Sequence, residues 1–311
     1  MARLRLVTLG ITALLAAACG PSGSSTGPST AAGTAAATTV PVTAAPTADA
    51  CADLSTKTAG KLTIATDNPA FPPYFEAKDG GNTDPWDPEG GDPNSGKGFE
   101  SAMAYAIADQ MGFDQASVTW IPVAFNTSFA PGPKDFDFFI GQVTYNAERA
   151  ANADLTDGYY FGNQTVVTLA KSQFANATTL TALKGAKLGA QVGTTSLATI
   201  DDVIQPTADA KVYNTTDDAI EAMQNGQIDG VVVDLPTAGF ITTVQVENSK
   251  IVGQIGTEAG AEPEHFSAVL EQGSALTACV NQAIGALSDD GTLEVLSDKY
   301  LPFNNAPELQ P

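Results

Sequence analysis

The sequence predicts an α/β protein of two lobes, with sheets covered by helices on both faces. Three observations carry this prediction. From residue 61 onward, short runs of strand type alternate with segments of helical period. The alternation restarts in the second half with its own turn residues, beginning at Leu183-Lys184-Gly185. Asp67, Thr194 and Asp234 stand just beyond predicted strands, where open α/β sheets carry their ligand sites.

The chain opens with a targeting segment. Arg3 and Arg5 precede an apolar stretch over residues 6–15, and Leu15-Ala16-Ala17-Ala18 leads into Cys19 and Gly20. The stretch is shorter than the roughly 20 residues of a spanning helix. It reads as a bacterial lipoprotein signal over residues 1–18 with Cys19 the lipidated residue; ordinary secretion with cleavage nearby is the alternative. Acyl chains on Cys19 anchor the mature chain to the bacterial cell membrane from outside, each buried methylene contributing roughly 0.8 kcal/mol. Residues 19–50 are almost wholly Ala, Thr, Ser, Pro and Gly, with the single charge Asp49. Such a segment buries too little apolar surface to offset its ordering entropy, so it reads as a disordered tether. A sugar-bearing stalk is the compositional alternative.

Fourteen Lys and Arg against 35 Asp and Glu give a formal charge of −21, which becomes −23 once residues 1–18, holding two arginines and no acid, are removed. A field of that sign repels nucleic acid and anionic lipid and keeps the folded part off the surface to which it is tied. Besides Cys19 there are two cysteines, Cys51 and Cys279. Outside the cytoplasm two leftover thiols pair more often than they stay free. The reading is a Cys51–Cys279 disulfide that closes a long loop and contributes about 4 kcal/mol on a chain-entropy argument. A free, buried Cys279 is the alternative.

Residues 61–67 alternate apolar and polar and run into proline-rich sequence, as a strand entering a loop does. Phe99, Met103, Ala106, Ile107 and Met111 then recur at helical period, closed by Gly112. A strand over 117–122, an apolar run over 136–140 and a short helix from near Asn146 follow. In the second half, 187–192 is a strand, and Gly193-Thr194-Thr195-Ser196 opens a helix through Ile204. Val212-Tyr213 is a short strand, Thr216-Asp217-Asp218 caps a helix through Gln224, and Asn225-Gly226 ends it. Residues 228–233 form a buried parallel strand ending on Asp234.

Certain fragments stand out for their order and spacing. They are Thr66-Asp67-Asn68-Pro69-Ala70-Phe71-Pro72-Pro73, Gly98-Phe99-Glu100, Asp137, Thr144 with Glu148-Arg149, Tyr159-Tyr160, Gln191-Val192-Gly193-Thr194-Thr195, Asp229 to Asp234, and Asp290-Gly291-Thr292. On these the chain, from about residue 61 to 302, resembles the polar amino-acid-binding proteins of ABC importers, the group of the histidine, lysine/arginine/ornithine and glutamine binding proteins. The resemblance implies a two-lobed periplasmic-binding-protein-like fold (type II). The solute-binding domain would cover 51–311, with lobe one at about 60–165 and 264–305, lobe two at about 166–263, and two hinge strands between them. It further implies a free L-amino acid as ligand, an ABC permease in the membrane as partner, a monomer, and no cofactor or metal.

The resemblance also assigns the ligand-binding residues. The ligand carboxylate falls to Arg149, with backbone N–H groups at Thr144 and at Thr194. A guanidinium offers two parallel donors to a carboxylate, and a helix start adds oriented N–H groups. Pairing of Arg149 with Asp154 or Asp157 on a solvated face is the alternative. The α-amino group falls to Asp234 and to the backbone of Gln142, where the family has a small residue. Burying Asp234 without a cation is costly; a helix-cap role is the alternative. Asp67, Phe71, Phe125 and Gln191 fall around the ligand's side chain, the phenylalanines either sandwiching it or serving as plain core. With Asp67 at the distal end and no extra arginine or histidine, a neutral polar or cationic side chain fits better than an acidic one.

A ligand touching Arg149 and the aromatics on one lobe, and Thr194 and Asp234 on the other, stabilises a closed form. Two other classes compete with capture and delivery. One is a dehydratase-like enzyme acting on a prephenate-like acid, with Asp67 or Glu100 as proton donor; the other is a ligand-sensing module. His265, the only histidine, has no evident Ser or Cys partner and reads as structural. The loop 79–94 holds five acids, Trp86 and three prolines. It lacks the ligand order of a calcium loop, which leaves a docking or lid role open.

Overall fold

The computed structural model describes residues 49–52, 54–256, 264–303 and 306–311. Cys19, the signal segment and most of the tether lie outside the described residues. The strand read at 61–67 is β1 (Leu62–Thr66), buried along its whole length. In chain order β2 (Val118–Pro122), β3 (Phe138–Phe139) and β4 (Asp154–Leu155) follow. With a returning strand, β12 (Val269–Leu270), they make a sheet of order β2-β1-β3-β12-β4. β1 runs parallel to β2 and β3, and β12 runs antiparallel to β3 and β4.

Burial on both faces of β1 is what helices on each side of a parallel sheet require. Leu62 and Ile64 share a core with Phe99, Met103 and Ile107 of α1 (Phe99–Gln110), and Ala65 lies in a second cluster with Phe125, Phe139 and Val269. Phe125 opens the short α2 (Phe125–Ser128). The helix expected near Asn146 is α3 (Ala147–Ala150), and the Asn146 side chain caps it by accepting from the Arg149 N–H at 2.8 Å.

The chain leaves this first lobe through β5 (Tyr160–Phe161) and builds a second five-stranded sheet. Its strands are β6 (Gln164–Leu169), β7 (Leu188–Gln191), β8 (Lys211–Tyr213), β9 (Gly230–Asp234) and β10 (Ser249–Ile255), in the order β10-β6-β9-β7-β8. β9 is parallel to β7 but antiparallel to β6, so the strand expected to be parallel is parallel on one side only. The helix opened by Thr194 begins as α4 (Thr195–Ala198) and widens into π-type turns over Thr199–Ile204. The cap of α5 (Thr216–Gln224) is Thr215 rather than Thr216, locked in a reciprocal capping box with Asp218. α6 (Leu235–Phe240) follows β9 directly.

The chain returns to the first lobe through β11 (His265–Phe266), which pairs antiparallel with β5. These two strands are the hinge. The chain then forms β12, α7 (Thr277–Asp289) and α8 (Thr292–Tyr300). Cys51 and Cys279 are joined, pinning the start of the domain to α7 within the first core. The last residues cross back to the second lobe: Leu309 is buried there, and its N–H donates to the Gln254 carbonyl at 2.8 Å.

The acidic loop is anchored in the core at Trp86 and Asp92, while Asp79, Asp84 and Glu89 stay exposed. Trp86 is 4% exposed in the first core, and buried Asp92 accepts from the Thr83 and Asn94 N–H groups at 2.7 and 2.8 Å. Among the described residues no acid, histidine or cysteine group is arranged to hold a metal, and no helix is long and apolar enough to cross a membrane.

The disulfide should carry a large part of the domain's stability. Replacing both Cys51 and Cys279 by Ser is expected to lower the unfolding free energy by about 2 to 5 kcal/mol. Urea denaturation measures this, and an unchanged midpoint would remove the staple from the account.

Candidate functional site

The loops at the strand ends of both sheets converge on one cleft. Asp67, just past β1, takes its own neighbour's N–H, from Asn68, at 2.9 Å and the Gln191 Nε2 at 3.1 Å. Gln191 ends β7, so this bond joins the lobes, and its Oε1 accepts from the Thr216 hydroxyl at 3.0 Å. Thr194 is the cap of α4; its hydroxyl accepts from the Leu197 N–H at 3.1 Å and donates to the Gln191 carbonyl at 2.8 Å.

Arg149 is buried, 4% exposed. Its Nη1 donates to the Thr144 carbonyl and its Nη2 to the Gly193 carbonyl of the other lobe, the latter at 2.7 Å. The guanidinium lies over Phe129 at 4.5 Å and Phe125 at 5.5 Å from the ring centroids. The alternative pairing with Asp154 or Asp157 does not form. Asp154 instead accepts from the Thr277 hydroxyl at 2.7 Å and the Gly273 N–H at 3.0 Å. Burial depresses the Arg149 pKa to about 10, partly offset by Asp234, Glu264 and Glu148.

Asp234 ends β9 and occupies the cap position of α6, yet its side chain makes no capping bond. Its Oδ1 accepts from the Gln164 Nε2 at 2.9 Å, and the same amide group donates to Glu264 Oε2 at 2.9 Å. Burial, with the Glu264 charge behind it, raises the Asp234 carboxyl to about 7; the Gln164 bond and the Arg149 charge pull the other way. Burial raises Glu264 as well.

Gln142 lies in the left-handed region at φ 51, a conformation costing a non-glycine residue on the order of 1 to 3 kcal/mol. Its N–H donates to Glu100 Oε1 at 2.7 Å and its Nε2 to Glu100 Oε2. The long side chain is therefore turned onto a buried acid, where the resemblance led one to expect a small residue. Phe71 packs against the core clusters of both lobes and meets Phe240 edge-on at 5.9 Å. Phe125 belongs to a first-lobe core cluster and also carries the Arg149 cation.

The nine positions expected to meet a ligand, Asp67, Phe71, Phe125, Gln142, Thr144, Arg149, Gln191, Thr194 and Asp234, line a single cavity of about 60 Å³. That volume holds a few waters. The cleft is drawn together by further bonds across it: Thr195 to Thr144 at 3.2 Å between hydroxyls, and Tyr74 to Thr237 at 3.1 Å. Reading the sequence missed Asp217, which lines the cavity and whose carboxyl is raised by burial with Asp87 and Asp218 adding to it. It also missed Gln164 and Glu264. Asp217 stood in a visible capping triad; Gln164 and Glu264 carry no local signal.

Residues 62–303 match the bacterial extracellular solute-binding proteins, family 3, and the chain belongs to that family. It is 32% identical to ABC transporter arginine-binding protein 1 of Escherichia coli (strain K12) over 66% of this chain and 82% of that protein. It is 27% identical to the L-cystine-binding protein TcyJ of the same organism, over 78% of this chain and 84% of the relative. Among solved structures it is similar to an ancestral arginine-binding protein bound to arginine, at a TM-score of 0.61 and 26% identity, over 78% of this chain and 98% of that one. These relatives are binding proteins.

Two buried acids with pKa values near 7 set a pH dependence for the ligand-free protein. Asp234 and Glu100 are both raised to about 7 from ordinary carboxylate values near 4, so the folded state favours their protonated forms. The stabilisation is present below the unfolded pKa and is lost as pH rises through about 7. Between pH 5 and 8 the expected loss is on the order of 2 kcal/mol per group. Calorimetric melting across that range checks the sign, and Asp234→Asn should flatten part of the slope.

Proposed function

We propose that this family member captures a free amino acid with a cationic side chain by closing its two lobes over it, then delivers it to an ABC permease in the membrane to which Cys19 is lipid-anchored. In this reading residues 1–18 are the signal peptide and 19–50 the tether. One observation supports it above all: a buried guanidinium, Arg149, and a half-buried carboxylate, Asp234, line the same cleft cavity, which also presents the carboxylates of Asp67 and Asp217. A zwitterion matches the first pair and a positively charged side chain the second. The arginine-binding relatives support the same side-chain class.

Binding exchanges bonds already in place. The ligand carboxylate takes over the guanidinium hydrogens now given to the Thr144 and Gly193 carbonyls, gaining a bidentate, charge-assisted pair. Backbone N–H groups at Thr144 and at the start of α4 complete its shell. The ammonium goes to Asp234, oriented by Gln164, and to the Gln142 backbone. Phe71 and Phe125 flank the side chain, whose charged end meets Asp67 and Asp217, with Gln191 beside them. Bonds between the lobes cross the cleft, from Arg149 to Gly193, Gln191 to Asp67 and Thr195 to Thr144, so the lobes part at β5 and β11 before a whole amino acid enters. No catalytic step is assigned: Glu100 spends its oxygens on Gln142 and Tyr159, and Asp67 on Asn68 and Gln191.

Thermal melting of residues 51–311 against the twenty amino acids, ornithine, citrulline, cystine and prephenate tests the proposal. Ligand at 100 times its Kd adds about 2.7 kcal/mol, a shift of several degrees. Arginine, lysine or ornithine should raise Tm, with uncharged citrulline weaker and glutamate silent. No shift with any amino acid would sink the reading. Arg149→Ala and Asp234→Ala should each weaken binding by about 2 to 5 kcal/mol, because each leaves a ligand charge unpaired. Retained affinity in Arg149→Ala would overturn the carboxylate assignment.

Proton release offers a separate check. The ligand ammonium favours ionised Asp234, lowering a pKa of about 7, so affinity should rise with pH up to that value. Titration calorimetry near pH 6.5 in buffers of different ionisation enthalpy should report protons released on binding.

A further inference from the structure

Glu100 is the buried charge that the capture mechanism leaves unused. It sits in the first turn of α1 at 0% exposure. Its Oε1 accepts from the Gln142 N–H at 2.7 Å and from the Tyr159 hydroxyl at 2.5 Å, and its Oε2 accepts from the Gln142 Nε2. All three partners donate, so their bonds favour the ionised form, against the burial that holds the Glu100 carboxyl up to about 7.

These partners belong to two different parts of the machine. Gln142 lines the ligand cavity in a left-handed backbone conformation, φ 51, that glycine adopts freely and glutamine does not. Tyr159 immediately precedes the hinge strand β5, and its ring packs against Phe266 of the other hinge strand, β11, at 6.2 Å. The N–H of Glu100 itself donates to the Tyr74 carbonyl at 2.9 Å, and the Tyr74 hydroxyl reaches Thr237 of the second lobe. One carboxylate thus grips Gln142 by both main chain and side chain and joins it to the root of the hinge.

We infer that Glu100 is a positioning residue of the amino-acid site: it holds Gln142 in the left-handed conformation that presents this part of the cavity wall, and through Tyr159 it couples that wall to the hinge. The inference rests on the binding reading above. It differs from a general packing role because it acts through Gln142. A glycine at 142 takes the same backbone shape unaided, so the need for Glu100 should largely vanish there.

The test is a double-mutant cycle read by titration calorimetry with L-arginine and L-glutamine as probes, on the wild type, Glu100→Gln, Gln142→Gly and the double variant. Glu100→Gln keeps the size of the side chain but puts a donor where two donors now point. It should weaken binding at least tenfold alone and threefold or less when combined with Gln142→Gly. An equal loss in both backgrounds, or no loss in either, overturns the inference. Gln142→Ala, which lacks both the amide and the conformational freedom of glycine, should bind at least fivefold more weakly than Gln142→Gly. Equal affinities of those two overturn it even if Glu100→Gln does not fold. Hydrogen exchange at the Gln142 amide supplies a readout without ligand: at least tenfold faster exchange in Glu100→Gln is expected, and unchanged exchange contradicts the grip. A wild type that binds neither probe would overturn the binding reading, leaving the exchange rate to decide the role of Glu100.

Discussion

The structure turns on a cation buried between two lobes. Arg149 is shielded from water, yet the two ion pairs among the described residues are Lys57–Glu271 and Lys97–Asp79. Arg149 is stabilised instead by two carbonyls and two aromatic faces. Such groups offset only part of the several kcal/mol that an ion loses on leaving water. Local architecture follows from this demand. Asn146 caps α3 so that the helix ends with Arg149 in the cleft, and Phe125 and Phe129 pack edge-to-face at 5.5 Å to give it a bed. Gly193 brings its carbonyl in at φ 76, and a Cβ there would stand 3.2 Å from the Cβ of Asn126 on the other lobe. A larger residue at 193 would be strained at that φ and would crowd Asn126 at the point where the guanidinium joins the lobes.

The opposite charge is set by strand register. β6 and β9 pair antiparallel with Gln164 directly across from Asp234, so the amide lies beside the carboxylate without any loop having to place it. Gln164 then uses both ends of its side chain, accepting from the Ser196 hydroxyl at 2.7 Å and donating to Asp234 and Glu264. Burial raises both carboxyls, and the Glu264 charge adds to Asp234, while the amide they share holds them down. A one-residue slip of β6 would turn Gln164 to the other face of the sheet and leave Asp234 unsupported.

The parts legible in the sequence were those that write themselves in periods, caps and strand ends. β1, α1, β9 and the helix start at Thr194 came from hydrophobic patterning and hydroxyl placement, and the nine pocket residues came from the family resemblance that the short motifs carry. Other features depend on distance in space. Glu264 precedes the returning hinge strand some hundred residues after Gln164, and nothing near it announces a partner. The left-handed backbone of Gln142 is invisible because a glutamine codon for φ does not exist; only the reach of Glu100 from α1 makes it tolerable. Thr215 displaced Thr216 as a cap because neighbouring threonines are equivalent until the chain direction is known. The acidic loop, whose docking or lid role the sequence left open, is tied down by Trp86, whose place in the core its composition did not announce.

Few contacts join the two lobes across the cleft. Across the cleft the lobes share the bonds of Arg149 to Gly193, Gln191 to Asp67, Thr195 to Thr144 and Tyr74 to Thr237, with one edge-on aromatic contact between Phe71 and Phe240. A typical intramolecular hydrogen bond contributes about 1 kcal/mol net, because water replaces it on opening. An aromatic pair adds about 1 kcal/mol more. The sum is a few kcal/mol. In the proposed reading, a ligand bonded to Arg149 on one lobe and to Asp234 on the other would supply a differential of that same size, which is the condition for it to decide the population.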